Sequence, residues 1–283
     1  MRILVLGGTR FTGYKVVCLL AAEGHSIDVI SKKAVLFEFK NVRFFLGEKS
    51  EVISQHNLFS KRYDFVIDFT CYKQKDAQLL LTLNVPNLLV ISSLWVTLFD
   101  SNVIRPWSEN EIKYLNNKKI AEVELINHHG RVSVIRLPVI AGAHDHTGRF
   151  QESIHQAERR RLFNGFDTNE PLFVLDVDSV AEFITKNIQA SNDLSYSLIN
   201  LCPQQVETRQ AYLDVIESLS NGQNSVFESR LNISKQKEHA YVNESFDLNS
   251  FSGAEYRRLE FVRTSFNIWV STQVQNLRMF QYG

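Results

Sequence analysis

Arg2-Ile3-Leu4-Val5-Leu6-Gly7-Gly8-Thr9-Arg10-Phe11-Thr12-Gly13, continued by Tyr14 to Gly24, is the stretch that decides the fold. Ile3 to Leu6 is a compact apolar run of β type. Val16, Val17, Leu19 and Leu20 then recur at helical spacing, and Gly24 suits a helix C-cap. Between the two the chain must turn sharply from strand to helix, so glycines stand where a side chain would block the turn or a bound phosphate. A helix start offers free N–H groups and a partial positive charge, which suit a pyrophosphate. Ordinary βα turns are glycine-rich too. The position directly after the first strand favours a dinucleotide. Gly7, Thr9, Phe11 and Gly13 are the expected cradle, and Arg10 can add a forked contact to a phosphate or stand as a solvated surface arginine.

Working outward, short apolar runs alternate with helix-like stretches. Ile27 to Ile30, Val42 to Leu46, Phe65 to Phe69, Leu88 to Ile91 and Val132 to Ile135 read as strands. Asp76 to Leu83 and about Tyr114 to Asn127 read as helices. This alternation predicts an α/β fold, a doubly wound parallel sheet covered on both faces. Beyond about residue 145 the texture changes. Phe150 to Leu162 is polar and helix-like, Phe173 to Val177 is a short apolar run, and Val180 to Ile188 and Tyr212 to Leu219 have helical spacing. Asn221 to Asn249 is polar and loop-like. The expected organisation is a dinucleotide-binding domain over 1–145 and a smaller substrate-binding part over 146–283, partly interleaved with the first.

The second strand ends in Ile30-Ser31-Lys32-Lys33, with no Asp or Glu to accept ribose hydroxyls. Ser31 and Lys32 suit a 2′-phosphate and lean the reading to NADP(H), with NAD left open; a solvated lysine pair is the competing explanation.

Composition narrows the classes. With 31 basic and 31 acidic side chains the formal net charge is zero, which argues against a general binder of phosphate backbones. No apolar run approaches the ~18 residues of a spanning helix, and the first residues do not read as a signal peptide. Cys18, Cys71 and Cys202 are far apart and odd in number, so a reduced cytoplasmic setting is expected, without a disulfide framework or zinc site.

A second constellation is Ser92-Ser93 at a strand end, followed by Tyr114-Leu115-Asn116-Asn117-Lys118. Residues four apart share a helix face. An ammonium beside a phenol favours the phenolate and makes the tyrosine a usable acid or base near neutrality. A serine at the neighbouring strand end can orient the substrate oxygen. Alone, Tyr-x-x-x-Lys is a weak pattern; after a nucleotide turn and a Ser-Ser strand end, in that order, it gains weight.

With these residues in view, the chain resembles the extended or atypical short-chain dehydrogenases/reductases, the NAD-dependent epimerase/dehydratase group. Gly7 to Gly13 is similar to that group's G-G-T-x-F-x-G turn, and Ile91 to Val96 to its S-S-x-x-V segment. Tyr114, Lys118 and Ala121-Glu122 match its Y-x-x-x-K-x-x-A-E run. Val134 to Gly142 resembles the strand and loop passing the nicotinamide, Phe173 to Ala181 the F-x-D-V-x-D-x-A segment, and Phe246 to Val270 the closing helices. The resemblance implies Ser93, Tyr114 and Lys118 as catalytic residues. It implies a nucleotide-linked sugar or related hydroxyl/carbonyl compound as substrate, and is compatible with a homodimer. Three departures stand out: Thr97 replaces a tyrosine, Lys119 adjoins Lys118, and the usual Pro is displaced to Pro138. No Asp-Glu pair follows Ser93, which lowers the dehydratase reading. Epimerase and reductase both remain. The competing class is a catalytically silent NADP(H) sensor or RNA-associated protein on the same fold, against which the zero net charge and intact Ser93, Tyr114 and Lys118 argue.

His144 and His146 supply too few ligands for a metal site, so polar substrate contacts are the better expectation for that loop. Arg149 can meet a substrate phosphate or form a surface ion pair. Arg159 to Arg161 reads as a solvated helix end rather than a nucleic-acid contact, and Trp107 and Trp269 as packing residues.

Overall fold

Ile3, Leu4, Val5 and Leu6 are wholly buried, because the strand they form, β1 (Arg2–Leu6), lies inside a sheet covered on both faces. The computed structural model describes residues 1–35, 37–58, 61–83, 85–100, 107–128, 131–142, 145, 147, 171–172, 174–189, 197–203, 207–208 and 257–262. Two units divide the chain. The first comprises Met1–Pro138, Val180–Leu201 and Gly253–Glu260; the second comprises Val139–Ser179, Cys202–Ser252 and Phe261–Gly283.

In the first unit the sequence-predicted strands form in order: β2 (Ser26–Ser31), β3 (Val42–Leu46), β4 (Phe65–Asp68), β5 (Leu88–Ser93) and β6 (Val132–Leu137). The helices between them are α1 (Phe11–Ala22), α2 (Lys49–Gln55), α3 (Gln74–Leu81), α4 (Leu94–Asp100) and α5 (Glu109–His128). Two more strands join the sheet, β10 (Ser197–Pro203) and, at the outer edge, β12 (Arg257–Val262). The order is β12-β10-β6-β5-β4-β1-β2-β3, and the seven strands from β10 to β3 pair in parallel. Chain order runs outward in opposite directions from β1 and β4. Their carboxyl ends therefore flank the switch point, where α/β sheets bind ligands.

Alternation across the strands sends Leu4, Leu6, Ile30, Val66, Leu88, Val90 and Val134 to one face. There they pack with Ile53 of α2, Leu80 of α3, and Ala121 and Leu125 of α5. At about 1.5–3 kcal/mol for each large apolar side chain buried, this layer is a main support of the first unit. Ser108 caps α5: its amide and hydroxyl reach Glu111 Oε2 at 2.9 and 2.8 Å, and the Glu111 amide returns to Ser108 Oγ at 3.3 Å. That S-x-x-E box starts the helix five residues ahead of Tyr114, earlier than the apolar spacing alone suggests.

α6 (Val177–Gln189) buries Val180, Ile184 and Ile188 completely, at the helical spacing anticipated. Within the second unit β7 (Val139–Ala141) pairs in parallel with β9 (Val174–Asp176), and β8 (Pro171–Leu172) pairs antiparallel with β11 (Glu207–Thr208). Phe150 to Leu162, Phe173, Tyr212 to Leu219, Asn221 to Asn249 and Trp269 lie outside the described residues. No described helix is long and apolar enough to cross a membrane.

Candidate cofactor and catalytic site

The turn after β1 is tied to β2. Gly7 takes φ +82°, and its amide donates to the Ile30 carbonyl at 2.9 Å. A side chain on Gly7 would meet Thr70 Cγ2 at 2.4 Å, and one on Gly13 would meet the Gly7 carbonyl oxygen at 2.6 Å. Gly13 thus lets the first turn of α1 lie directly against the strand end. Arg10 is the N-cap residue in extended conformation (φ −140°, ψ 147°). It makes no side-chain cap bond, and no acidic residue sits in the first turn. Neither an Arg10 side-chain cap nor a first-turn carboxylate competes for the leading N–H groups of α1, an arrangement that suits an anion. Phe11, at φ +45°, holds a strained backbone of the kind that clusters at ligand clamps, at a cost of about 1–3 kcal/mol. We expect Gly13→Ala to destabilise the fold by about 1–3 kcal/mol in urea titration, because the Gly7–Gly8 backbone opposes the new methyl. Dinucleotide affinity should fall at least tenfold in the same protein; wild-type affinity would refute the cradle.

At the end of β2, the Thr9 and Ser31 hydroxyls are 2.7 Å apart. Lys32 is ion-paired with Glu48, so the charge that the sequence offers to a 2′-phosphate already has a carboxylate partner. Glu48 is the acidic neighbour that the sequence pattern of β2 did not reveal. It comes from the segment between β3 and α2.

Ser93 closes β5, nearly buried, and its Oγ accepts the Trp95 amide at 3.3 Å, capping the start of α4. Lys118 is 3% exposed, and its Nζ donates to the Ile91 carbonyl at 3.1 Å, two residues before Ser93. The ammonium lies 4.7 Å from the centre of the Tyr72 ring, a cation–π distance. Burial pushes Lys118 below the ordinary lysine value; Cys71, Asp68 and Glu122 oppose that shift and Lys49 adds to it. Tyr114, one helical turn earlier on α5, is 41% exposed. The helix thus carries an exposed phenol and, one turn further on, a buried ammonium. Lys119, by contrast, points to Asp100, with Nζ 2.6 Å from Oδ1, so Lys118 is the lysine directed to β5.

A cluster unseen in the sequence lies between these two parts. Lys49, at the start of α2, places Nζ 3.0 Å from Asp68 Oδ2 and 3.2 Å from Asp76 Oδ1. Burial draws its pKa down, but Asp68 and Asp76 more than offset this and leave it above the ordinary value. Cys71, beside them, is buried and its thiol is pushed up to about 12, burial being the main cause. Lys49 carries no local signature: its partners are 19 and 27 positions away.

Thr97, where the resemblance expects a tyrosine, is 2% exposed and belongs to a buried network. Its Oγ1 donates to Asn200 Oδ1 and receives Arg136 Nη1 at 2.7 Å. Arg136 in turn grips Glu122 with Nε 3.2 Å from each carboxylate oxygen and Nη2 on Oε2. Thr97 therefore braces α4 against the sheet. Trp107 packs edge-on against Trp95 and Phe99. Among the described residues no group of three or more His, Cys, Asp or Glu is gathered as a metal site. His144, His146, Arg149 and Arg159 to Arg161 lie outside the described residues. Asp145 Oδ1 is taken by the Thr147 amide and hydroxyl at 2.8 and 2.6 Å.

No protein-family model matches the sequence, and no curated protein does. Solved structures do match. The UDP-glucose 4-epimerase of Thermotoga maritima aligns over 99% of this chain and 100% of its own, with TM-score 0.67 and 14% identity. The dTDP-glucose 4,6-dehydratase of Bacillus anthracis, solved in complex with NAD, aligns over 99% and 97%, with TM-score 0.67 and 14% identity. An epimerase of Methanothermobacter thermautotrophicus aligns over 78% and 77%, with TM-score 0.60 and 15% identity. At such identities the likeness is one of architecture, and the chain has the Rossmann-like fold found in these epimerases and dehydratases.

Proposed function

We propose that the chain is an NAD(P)-dependent enzyme, an epimerase or reductase acting on a hydroxyl/carbonyl group, with a nucleotide-linked sugar as substrate. The observation that carries this reading is the buried Lys118, held on the Ile91 carbonyl at the carboxyl edge of β5. The same sheet opens, at the end of β1, into a glycine turn whose space a side chain would fill. The uncapped start of α1 fits a pyrophosphate, with Gly7, Thr9, Arg10, Phe11 and Gly13 around it. Ser31 and Lys32 would face the adenosine ribose, and Lys118 the nicotinamide ribose. NADP(H) remains the preferred form on Ser31 and the two lysines. Glu48 on Lys32 works against a large preference, and the B. anthracis dehydratase binds NAD.

A nicotinamide dinucleotide, when bound, supplies a site that takes up or returns a hydride. The chain's own residues do the remaining work. Tyr114 Oη gives or takes the proton of the substrate oxygen, Lys118 favours the phenolate, and Ser93 Oγ orients the reacting oxygen. The test is to release any co-purified nucleotide and identify it by mass, then to titrate NADH and NADPH and follow UDP- and dTDP-sugars by NMR. A bound dinucleotide with conversion of one sugar nucleotide is the expected result. Binding without conversion across the panel would favour the silent sensor, and absence of dinucleotide binding would overturn both.

A further inference from the structure

The segment from Asp68 at the end of β4 to Asp76 in the first turn of α3 touches both halves of the site. At one point Thr70 Cγ2 fills the space beside the Gly7 Cα that a side chain there would need. Two residues on, the Tyr72 ring lies 4.7 Å from the Lys118 ammonium. The conformation of this turn therefore sets the wall of the glycine turn and the seat of Lys118 together.

One ammonium ties the turn at both ends. Asp68, wholly buried, takes the Thr70 amide at 2.5 Å and hydroxyl at 2.7 Å on Oδ1, and Lys49 Nζ at 3.0 Å on Oδ2. Lys49 also donates to the Thr70 carbonyl at 3.1 Å. It also meets Asp76 Oδ1 at 3.2 Å, while Asp76 Oδ2 takes the Tyr72 and Lys73 amides at 2.9 and 3.1 Å. These bonds are charge-assisted, and the Lys49–Asp68 pair at their centre is buried, so it resists screening and holds one geometry. A buried lysine fastened by two carboxylates is expensive to desolvate and gives little net stability. What it gives is a fixed turn.

We propose that Lys49 is a positioning residue which, by clamping Asp68 and Asp76, sets the 69–73 turn against Gly7 and beneath Lys118. The proposal rests on the dinucleotide reading of the site. Lys49 touches no reacting atom; it acts through Thr70 and Tyr72. Its charge bears on Lys118 as well, together with Asp68, Cys71 and Glu122.

The test uses the full chain with Lys49→Met, Lys49→Arg and, as a control for lost stability away from the site, Arg43→Met, which breaks a forked pair on buried Asp28. NADH and NADPH affinities are measured by fluorescence titration, melting temperatures by calorimetry, and amide exchange at Thr70 and Tyr72 by NMR. Lys49→Met is expected to weaken dinucleotide binding at least tenfold and to speed exchange at both amides at least tenfold. Lys49→Arg should recover most of the affinity. Arg43→Met should stay within twofold on both readouts despite a lower melting temperature. Where Lys49→Met fails to fold, Asp76→Ala, which keeps the Asp68–Lys49 pair, should weaken binding at least threefold. Unchanged affinity in the folded variant, or an equal loss in Arg43→Met, overturns the proposal. Should the wild type bind neither dinucleotide, the cofactor reading fails; the exchange data still decide on the clamp, and unchanged exchange at Thr70 and Tyr72 overturns it.

Discussion

Tyr114→Phe should lower turnover on the identified sugar nucleotide by about 10²–10⁴-fold, the usual contribution of a positioned acid or base. That corresponds to about 3–5 kcal/mol of barrier. The ring is 41% exposed, so removing its hydroxyl opens no cavity and the melting temperature should stay within a degree or two. Dinucleotide affinity should also hold within twofold, because the glycine turn and Lys118 are untouched. Loss of kcat at constant cofactor affinity is the signature of a group that acts only in the transition state. Steady-state kinetics and a fluorescence titration on the same sample read both quantities. Full activity in the Phe variant would remove Tyr114 from the mechanism, and an equal loss of cofactor affinity would make it a binding residue. Lys118→Met gives the complementary pattern: it takes away the buried ammonium held on the Ile91 carbonyl and should cost both turnover and affinity.

How much of this site could be read from the chain depended on how local its physics is. The β1 turn was legible because strand, glycines and helix follow within two dozen residues, and Gly24, at φ +84°, closes α1 as expected. That Tyr114 and Lys118 fall one turn apart on one helix was legible because four residues make about one helical turn. α2 was not: Lys49–Gln55 is seven residues long, and its first side chain is buried only because of carboxylates far along the chain. α4 was missed for another reason. Leu94–Asp100 is an apolar run whose period is hidden, and what breaks the strand is the Ser93 cap. β10 escaped notice because Asn200, wholly buried, interrupts its apolar run; its amide oxygen is satisfied by Thr97, 103 positions earlier. The Ser108–Glu111 box, by contrast, stood in the sequence and would have placed the start of α5. What sequence could not supply were the ties between elements: Lys32 to Glu48, Lys49 to Asp68, and Arg136 to Glu122.

The last of these ties should carry the largest stability effect. Arg136 and Glu122 are each 3% exposed, and the guanidinium also serves Thr97. Arg136→Met keeps much of the apolar stem but leaves Glu122 buried without its cation and takes the guanidinium bond from Thr97 Oγ1. Breaking one side of a buried pair typically costs about 3–5 kcal/mol, much of it from the abandoned charge. At roughly 2–4 °C per kcal/mol for a chain of this size, thermal unfolding should move down by on the order of 10 °C. The double variant Glu122→Leu/Arg136→Met separates the pair's attraction from the cost of the orphan. With both charges gone, well-packed apolar groups can replace the pair at little cost, so the double variant should melt above the single one. If it melts lower, the pair itself is strongly stabilising. If Arg136→Met costs under about 1 kcal/mol, Glu122 has found another partner and α5 is held otherwise. Glu122 stands one helical turn beyond Lys118 and is among the charges acting on it. Arg136→Met should therefore disturb the seat of Lys118 as well, and dinucleotide binding in the folded variant, measured well below its melting point, should weaken alongside the loss of stability.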